Sequence, residues 1–175
     1  MKKKKSSLKD SVRSIPDFPK PGILFKDITT LLQDRKAFKE ALDSLVRKFK
    51  GKKIDKVVAV EARGFILGGA VAYKIGAGFV PVRKKGKLPW KTNSVTYNLE
   101  YGTDTLEMHH DAINPGERVL IIDDLLATGG TVKAVTELVS QFKGKVAGIV
   151  FLIELAELKG KDKIKGYPVY SLIRY

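Results

Sequence analysis

Two adjacent aspartates, Asp123 and Asp124, follow the apolar run VLII, and a glycine pair, Gly129 and Gly130, lies shortly after them. The sequence VLIIDDLLATGGT predicts a buried strand, then a loop, then a helix that begins near Thr131. Ionised carboxylates only accept hydrogen bonds, so an adjacent pair at an exposed strand end suits the two hydroxyls of a vicinal diol. The diol of a ribose fits this pattern.

The loop after the aspartates has the composition of a phosphate site. Gly129 and Gly130 allow close approach to the backbone, and Thr128 and Thr131 add hydroxyls at a helix N-terminus, which carries about half a positive charge. No lysine follows the glycines, unlike the P-loop of nucleoside triphosphatases. A capped helix with an acidic approach is the alternative interpretation. Diol acceptors and a phosphate loop together favour a phosphorylated ribose.

A second candidate loop, EARG, follows the predicted strand Lys56–Val60 and places Arg63 beside Gly64. A guanidinium at a helix start opposes the helix dipole, so anion binding explains Arg63 better than an ordinary surface position does, and pyrophosphate suits its paired donors. Cations also crowd the stretch after the next strand, at Arg83, Lys84, Lys85, Lys87 and Lys91. A basic loop alone is usually just solvated, but beside a sugar-phosphate site it suits a pyrophosphate leaving group.

Hydrophobic periodicity predicts an α/β fold with a mainly parallel sheet flanked by helices. Leu8, Val12 and Ile15 suggest a short amphipathic first helix, and the Pro- and Gly-rich segment after it is expected to be irregular. Asp34 is expected to cap the next helix, which would end at Gly51. Strands are predicted at residues 56–60, 78–82, 119–123, 146–153 and 169–173, a buried helix at 64–73, a second helix at 131–142, and an antiparallel hairpin at 95–108.

Composition favours one globular domain, because 175 residues with 43% hydrophobic residues suffice for a single core. The formal net charge of +14 favours anionic partners. The absence of cysteine excludes thiolate nucleophiles and Cys-ligated metals. The basic run from Lys2 to Lys5 precedes polar residues instead of an apolar segment, and no apolar run is long enough to span a membrane. We therefore predict a cytoplasmic protein without membrane association.

The motif VLIIDDLLATGGT resembles the phosphoribosyl-pyrophosphate motif of the type I phosphoribosyltransferases. Further segments narrow the resemblance to the adenine-specific branch of this family, namely FPKPGILFKDIT at residues 18–29, EARGF at 61–65, FVPVRKKGKLP at 79–89 and NLEYGTDTLEMH at 98–109. The resemblance covers nearly the whole chain, from about Val12 to the last strand. The sequence departs from the family at Lys26, where arginine is usual, and at Trp90, because tryptophan is unusual in the lid.

The resemblance implies a type I phosphoribosyltransferase fold in a single domain, residues 1–175. It would have an N-terminal hood at about residues 12–34 and a lid hairpin at about 83–108. In the hood, Phe25 is expected to stack on the purine, while backbone groups at Leu24 and Lys26 bind its amino edge. A core position is the alternative for Phe25.

The resemblance also assigns the remaining site residues. Ribose and its 5-phosphate would be held by Asp123, Asp124, Ala127, Thr128, Gly129, Gly130 and Thr131. Pyrophosphate would be held by Glu61, Ala62, Arg63, Gly64, Arg83, Lys87 and Tyr101. The candidate catalytic residues are Glu100, for proton exchange with the purine, and Arg63 and Lys87, for the departing pyrophosphate. A solvent-facing strand position is the alternative for Glu100.

Two structural expectations accompany these assignments. The resemblance implies a cis non-proline peptide near Glu61 and Ala62. It also implies a homodimer, in which the arginine equivalent to Arg83 reaches the substrate of the neighbouring subunit. Both expectations come from the family and from no pattern in this sequence.

The implied reaction converts adenine and 5-phosphoribosyl 1-pyrophosphate into AMP and pyrophosphate in purine salvage, which would make the protein a purine phosphoribosyltransferase. Mg²⁺ is the expected cofactor, bound mainly through substrate oxygens and without a direct protein ligand. Two alternatives remain open. One is an enzyme for xanthine, hypoxanthine or guanine, and the other is a non-catalytic regulator that senses phosphoribosyl pyrophosphate and binds RNA or DNA. We expect no nucleic-acid partner, because such repressors usually carry an extra DNA-binding domain.

Overall fold

The computed structural model describes residues 7–98 and 102–175, so the run from Lys2 to Lys5 and the residues Glu100 and Tyr101 lie outside the described part. The chain divides into two compact units, Met1–Ser44 and Leu45–Tyr175. No helix in the described ranges is long and apolar enough to cross a membrane. The single domain with a hood and a lid stays a prediction.

The first unit contains a short 3₁₀ helix and a two-stranded antiparallel sheet. The 3₁₀ helix is Leu8–Ser11, β1 is Arg13–Ile15 and β2 is Phe25–Asp27. Two predictions for this region are therefore wrong, because the first helix ends at Ser11 and the segment expected to be irregular contains β2. Long-range pairing is the reason. The strands supply each other's backbone hydrogen bonds, with Arg13 opposite Asp27 and Ile15 opposite Phe25.

Two helices follow, α1 at Thr29–Gln33 and α2 at Arg35–Arg47. The predicted cap of α2 is confirmed, since Oδ1 of Asp34 accepts hydrogen bonds from the backbone N–H groups of Lys36 and Ala37, both at 2.8 Å. The helix ends at Arg47, before the predicted Gly51, and turns cover the residues between.

The second unit contains a seven-stranded sheet in the order β5-β6-β4-β3-β7-β8-β9. The strands are β3 Lys56–Val60, β4 Gly78–Lys84, β5 Thr92–Asn98, β6 Thr103–His109, β7 Arg118–Leu126, β8 Lys145–Glu154 and β9 Val169–Arg174. The neighbouring strands in the series β4-β3-β7-β8-β9 are parallel to one another. Strand β6 pairs antiparallel with both β4 and β5. The helices are α3 Arg63–Ile75 and α4 Gly130–Gln141, with 3₁₀ helices at Ala156–Leu158 and Gly160–Ile164. The predicted α/β class with a mainly parallel sheet is confirmed.

The central strands of the second unit are apolar on both faces because both faces are buried in the core. Buried runs in β3, β7 and β8 lie side by side, and Leu67 and Val71 of α3 are buried as well. The prediction of a buried helix is wrong for two of its apolar residues, because Ile66 and Tyr73 are 46% and 89% exposed. These two residues are seven positions apart and share the outer face of the helix.

Asp27 connects the two strands of the first unit. Its Oδ2 accepts hydrogen bonds from Nε and Nη2 of Arg13, at 3.0 and 2.6 Å, and from the hydroxyl of Thr29 at 2.8 Å. Its Oδ1 accepts one from the backbone N–H of Thr29 at 2.9 Å. The Thr29 backbone bond and then the Arg13 guanidinium lower the pKa of Asp27 from 3.8 to about 2. This stabilisation is present above the unfolded pKa and is lost as the pH falls through the folded one.

We expect Asp27→Asn to lower the urea midpoint of unfolding at pH 7, because a neutral amide loses the charge-assisted bonds to Arg13 and Thr29. The deficit should narrow as the pH falls from about 4 to about 2, where Asp27 itself becomes protonated. Asp162→Asn is the control, since that side chain is 59% exposed and pairs only loosely with Lys165. If the urea midpoint of Asp27→Asn stayed below that of the wild type by the same amount down to pH 2, the stabilising role of the ionised Asp27 would be contradicted.

Candidate active site

The predicted diol acceptors lie inside a strand and not beyond its end. β7 continues through Asp123 and Asp124 to Leu126, because β8 runs beside it and pairs Asp123 with Phe151 and Leu126 with Glu154. Asp124 is only 7% exposed and Asp123 is half-buried. The prediction of an exposed strand end is therefore wrong, since the sequence does not show how far the neighbouring strand extends.

Burial sets the electrostatics of this carboxylate pair. Oδ1 of Asp123 accepts a hydrogen bond from the backbone N–H of Asp124 at 2.9 Å, and Oδ2 of Asp124 lies 2.7 Å from Nη2 of Arg63. Burial raises the pKa of Asp123 well above its usual range, and the charge of Asp124 raises it further. Burial also raises the pKa of Asp124, against the opposing effect of Arg63. The protein therefore compensates the negative charge of these two carboxylates only in part, and the pair suits a ligand that donates hydrogen bonds.

Gly64 allows the two predicted loops to meet. A Cβ atom at Gly64 would lie 2.8 Å from Oδ1 of Asp123 and 3.5 Å from the carbonyl oxygen of Ile122. Only a residue without a side chain lets the first turn of α3 approach β7 this closely. The approach also brings Arg63 to Asp124, so the structure joins the candidate pyrophosphate loop to the candidate ribose site.

The predicted phosphate loop connects β7 to α4 and borders a cavity of about 80 Å³. The lining residues are Asp123, Leu125, Leu126, Ala127, Thr128, Gly129, Gly130, Thr131, Val132 and Phe151. Gly129 adopts φ 80° and ψ 2°, a left-handed conformation, immediately before the first turn of α4. The cavity therefore combines a helix N-terminus, two threonines and one of the diol acceptors, as a phosphorylated ribose requires.

The candidate pyrophosphate loop contains a cis peptide between Glu61 and Ala62, as expected from the resemblance. The side chain of Glu61 faces the basic stretch. Its Oε2 accepts hydrogen bonds from Nε and Nη2 of Arg83, at 3.1 and 2.9 Å, and its Oε1 accepts one from the backbone N–H of Lys84 at 2.6 Å. Arg83 also donates to the carbonyl oxygen of Lys87 at 3.1 Å.

This network gives Glu61 a role that its position in the motif did not indicate. Burial raises the pKa of Glu61, but the Lys84 N–H and the Arg83 guanidinium outweigh it, so the net pKa is lowered. The ionised carboxylate organises the turn from Arg83 to Lys87. Sequence reasoning missed this because Glu61 follows β3 whereas Arg83 lies in β4, and only the parallel pairing of these two strands brings the residues together.

The predicted lid is a hairpin of β5 and β6, and its first strand is attached to α4. Nδ2 of Asn93 donates to Oε1 of Gln141 at 3.0 Å, and Nε2 of Gln141 donates to the carbonyl oxygen of Ser94 at 3.3 Å. Nearer the phosphate loop, the hydroxyl of Tyr97 lies 3.4 Å from that of Thr131. The predicted roles of Glu100 and Tyr101 fall outside the described residues.

The predicted adenine residues belong to the first unit. Phe25 packs edge to face against Phe18, with ring centroids 5.1 Å apart, and Leu24 is 52% exposed. Nζ of Lys26 donates to Oγ of Ser14 at 3.0 Å across the β1–β2 pair. The partner Phe18 was not singled out from the sequence, although it precedes a cis proline. The adenine-binding role of Leu24, Phe25 and Lys26 stays a prediction.

Known proteins resemble the chain over nearly its whole length. The family model of the phosphoribosyl transferase domain matches residues 27–173. An adenine phosphoribosyltransferase of Clostridium perfringens is 61% identical over 97% of this chain and 98% of its own length. The crystal structure of adenine phosphoribosyltransferase from Thermoanaerobacter pseudethanolicus is 54% identical, with a TM-score of 0.93, and covers 96% of this chain and 98% of its own.

A more distant relative has been crystallised with ligands. The adenine phosphoribosyltransferase of Saccharomyces cerevisiae, complexed with an imino-altritol 1,6-bisphosphate and adenine, is 41% identical to this chain. Its TM-score is 0.89, and the match covers 94% of this chain and 96% of that one. The match therefore extends to a structure with both a bisphosphate and a purine base bound.

We expect Asp123→Asn to raise the thermal midpoint at pH 8, because the folded protein then no longer buries an ionised carboxylate beside Asp124. A raised folded-state pKa means that stability falls as the pH rises above the unfolded value. The gain should therefore shrink toward pH 4. For a chain of this size about 1 kcal/mol corresponds to roughly 2 to 4 °C.

The matched control is Asp111→Asn, an exposed position in the same unit. Differential scanning calorimetry of both variants across this pH range measures the effect. A stability loss for Asp123→Asn at pH 8 would show that the carboxylate is fully compensated in the fold.

Proposed function

Since the chain belongs to the phosphoribosyl transferase family, and within it to the adenine phosphoribosyltransferases, we propose that the site described above transfers a 5-phosphoribosyl group to adenine. The protein is a pentosyl-transferring enzyme of purine salvage. It converts adenine and 5-phosphoribosyl 1-pyrophosphate into AMP and pyrophosphate. The observation that carries this function is the cavity that Asp123 shares with the phosphate loop.

The carboxylate pair and the loop divide the work of binding the sugar. Asp123 and Asp124 accept hydrogen bonds from the ribose hydroxyls, and the loop from Ala127 to Thr131 holds the 5-phosphate. In the reaction the bond from the anomeric carbon to the pyrophosphate oxygen breaks, a bond to a ring nitrogen of adenine forms, and that nitrogen loses its proton. Positive charge develops on the ribose ring, and buried carboxylates nearby stabilise it.

The cations of the site serve the leaving group. Arg63 at the start of α3, with Arg83 and Lys87 in the turn that Glu61 organises, would stabilise the departing pyrophosphate. Ala62 and Gly64 would offer it backbone groups. Glu100 and Tyr101, outside the described residues, are proposed for proton exchange with adenine and for pyrophosphate binding. The formal net charge of +14 suits such polyanionic substrates.

Mg²⁺ is proposed as the cofactor. The carboxylates of Asp123 and Asp124 are oxygen donors of the type that Mg²⁺ accepts, but two residues fill only part of an octahedral shell. In the described ranges no group of three or more acidic, histidine or cysteine side chains is arranged to hold a metal. The ion would therefore be held mainly by substrate oxygens, where it would neutralise the charge of the pyrophosphate. Phe25, with Leu24 and Lys26, is proposed to bind adenine.

A homodimer is also proposed, supported by the outer face of α3. Ile66 and Tyr73 on this face are exposed, and Gly69 between them has open space above it. Phe79 of β4 is 39% exposed, and its ring packs against that of Phe65 on the same helix. Exposed apolar side chains of this kind are typical of a protein interface. Cytoplasmic location and the lack of a nucleic-acid partner stay predictions.

The function is tested by measuring turnover of purine bases with phosphoribosyl pyrophosphate and Mg²⁺. We expect adenine to react far faster than hypoxanthine, guanine or xanthine, and removal of Mg²⁺ with a chelator to abolish the reaction. The double variant Asp123→Asn with Asp124→Asn should keep its circular dichroism spectrum and lose at least about 1,000-fold in kcat/KM, because the ribose loses its charged acceptors. Preference for an oxopurine, or a near-normal double variant, would contradict the proposal.

The dimer is tested with Tyr73→Glu, which places a charge on the outer face of α3. We expect the variant to elute as a monomer in size-exclusion chromatography with light scattering, because burying an unpaired carboxylate opposes association. Tyr167→Glu is the matched control, since Tyr167 is a 38% exposed tyrosine far along the same unit. A wild-type monomer, or a Tyr73→Glu dimer as stable as wild type, would exclude this face as the interface.

A further inference from the structure

The phosphate loop touches a 3₁₀ helix that the sequence did not connect with it. A Cβ atom at Gly129 would overlap the carbonyl group of Gly160, the first residue of the helix Gly160–Ile164. A Cβ atom at Gly160 would overlap the carbonyl oxygen of Ala127 and lie 2.9 Å from a methyl carbon of Leu126. The two backbones are therefore in direct contact at Ala127 and at Gly129, and neither Gly129 nor Gly160 has room for a side chain.

The segment that carries Gly160 is firmly attached to the sheet. The backbone N–H of Leu155 donates to the carbonyl oxygen of Leu126 at 2.9 Å, directly before the loop. Ile164, at the other end of the 3₁₀ helix, is 2% exposed and belongs to the hydrophobic core. The helix thus presents a fixed surface to the phosphate loop.

An ion pair between the buried Glu154 and the partly exposed Lys161 holds this surface near its start. Nζ of Lys161 lies 2.7 Å from Oε2 of Glu154, at the end of β8, and Nε of Arg174 lies 3.6 Å from the same oxygen. Burial raises the pKa of Glu154, but the adjacent Lys161 ammonium, together with the nearby Ser171 and Arg174 side chains, outweighs it and the net pKa is lowered. Glu154 is therefore ionised at neutral pH and fixes the residue next to Gly160.

We propose that Gly160 is a positioning residue for the 5-phosphate of the substrate. It is not among the described residues that line the cavity, yet it contacts the loop at Ala127 and at Gly129, on both sides of Thr128. A phosphate is held by backbone N–H groups whose donor distances must stay near 2.7 to 3.2 Å, so roughly 1 Å of loop displacement is enough to lose them. This inference rests on the proposed function, because it assigns the loop to the substrate's phosphate.

The contact predicts a selective kinetic effect. Gly160→Ala must displace either the loop or the 3₁₀ helix, since the atom nearest to the added methyl group is the carbonyl oxygen of Ala127, a backbone atom that cannot rotate away. We expect the KM for phosphoribosyl pyrophosphate and the Kd for ribose 5-phosphate to rise about 10-fold to 100-fold. The KM for adenine should change less than about threefold, because the base does not contact this loop in the proposed arrangement. A general loss of folded enzyme would lower the apparent kcat and would change neither of the two KM values.

The experiment combines steady-state kinetics with calorimetric titration of ribose 5-phosphate into the wild type, Gly160→Ala and Lys161→Ala. Lys161→Ala weakens the attachment of the 3₁₀ helix without adding an atom near the loop, so a smaller rise in the Kd is expected. Lys165→Ala, at an exposed position of the same segment, is the matched control and should bind as the wild type does. If Gly160→Ala fails to fold, the Kd of Lys161→Ala for ribose 5-phosphate tests the positioning role instead.

The outcomes separate this inference from the proposed function. A folded Gly160→Ala variant whose Kd for ribose 5-phosphate stays within about twofold of wild type overturns the positioning role, and so does an unchanged Lys161→Ala where the first variant does not fold. Equal rises in both KM values overturn it as well. A wild type that binds ribose 5-phosphate and fails to turn over adenine would instead overturn the proposed function.

Discussion

The burial of two adjacent carboxylates in the central strand is the constraint on which the rest of the site depends. Buried charges are costly unless they are paired, and Arg63 compensates Asp124 more directly than Asp123. The strand tolerates this because its backbone pairs with β3 as far as Ile122 and with β8 as far as Leu126, which fixes it on both sides up to the first aspartate. The negative charge that remains uncompensated suits a ligand that donates hydrogen bonds, as the ribose hydroxyls of the proposed substrate do.

Glycines convert this electrostatic arrangement into a defined geometry. Gly64 lets α3 approach Asp123, and Gly129 and Gly160 let a 3₁₀ helix support the phosphate loop from residues that lie about thirty positions later. In each case the contact partner is a backbone or a short carboxylate, which cannot move aside as a long side chain can. The site is therefore positioned by close backbone contacts, and its shape does not depend on flexible residues.

The sequence predicted the parts of the fold that follow from local pattern. The apolar runs of β3, β7 and β8 and the alternation of β5 and β6 led to correct strands, and Asp34 to a correct helix cap. The failures share one cause, because each involves residues distant in sequence. β1 replaced a helix through its pairing with β2, β8 extended β7 past the aspartates, and Glu61 met Arg83 only through the sheet. The contact of Gly160 with the phosphate loop cannot be predicted from the sequence, since it joins backbone atoms and involves no characteristic side chain.

Both arginines of the candidate pyrophosphate site are held by carboxylates of the protein itself. Arg63 contacts Asp124, and Arg83 contacts Glu61 through two nitrogens. Such pairing fixes each guanidinium before an anion arrives, which lowers the conformational entropy lost on binding. It also means that an anion must compete with a carboxylate for each arginine. A monoanionic competitor gains little from that exchange, whereas a polyanion such as the proposed pyrophosphate offers more charge to an arginine, so the internal ion pairs favour a polyanion over smaller anions.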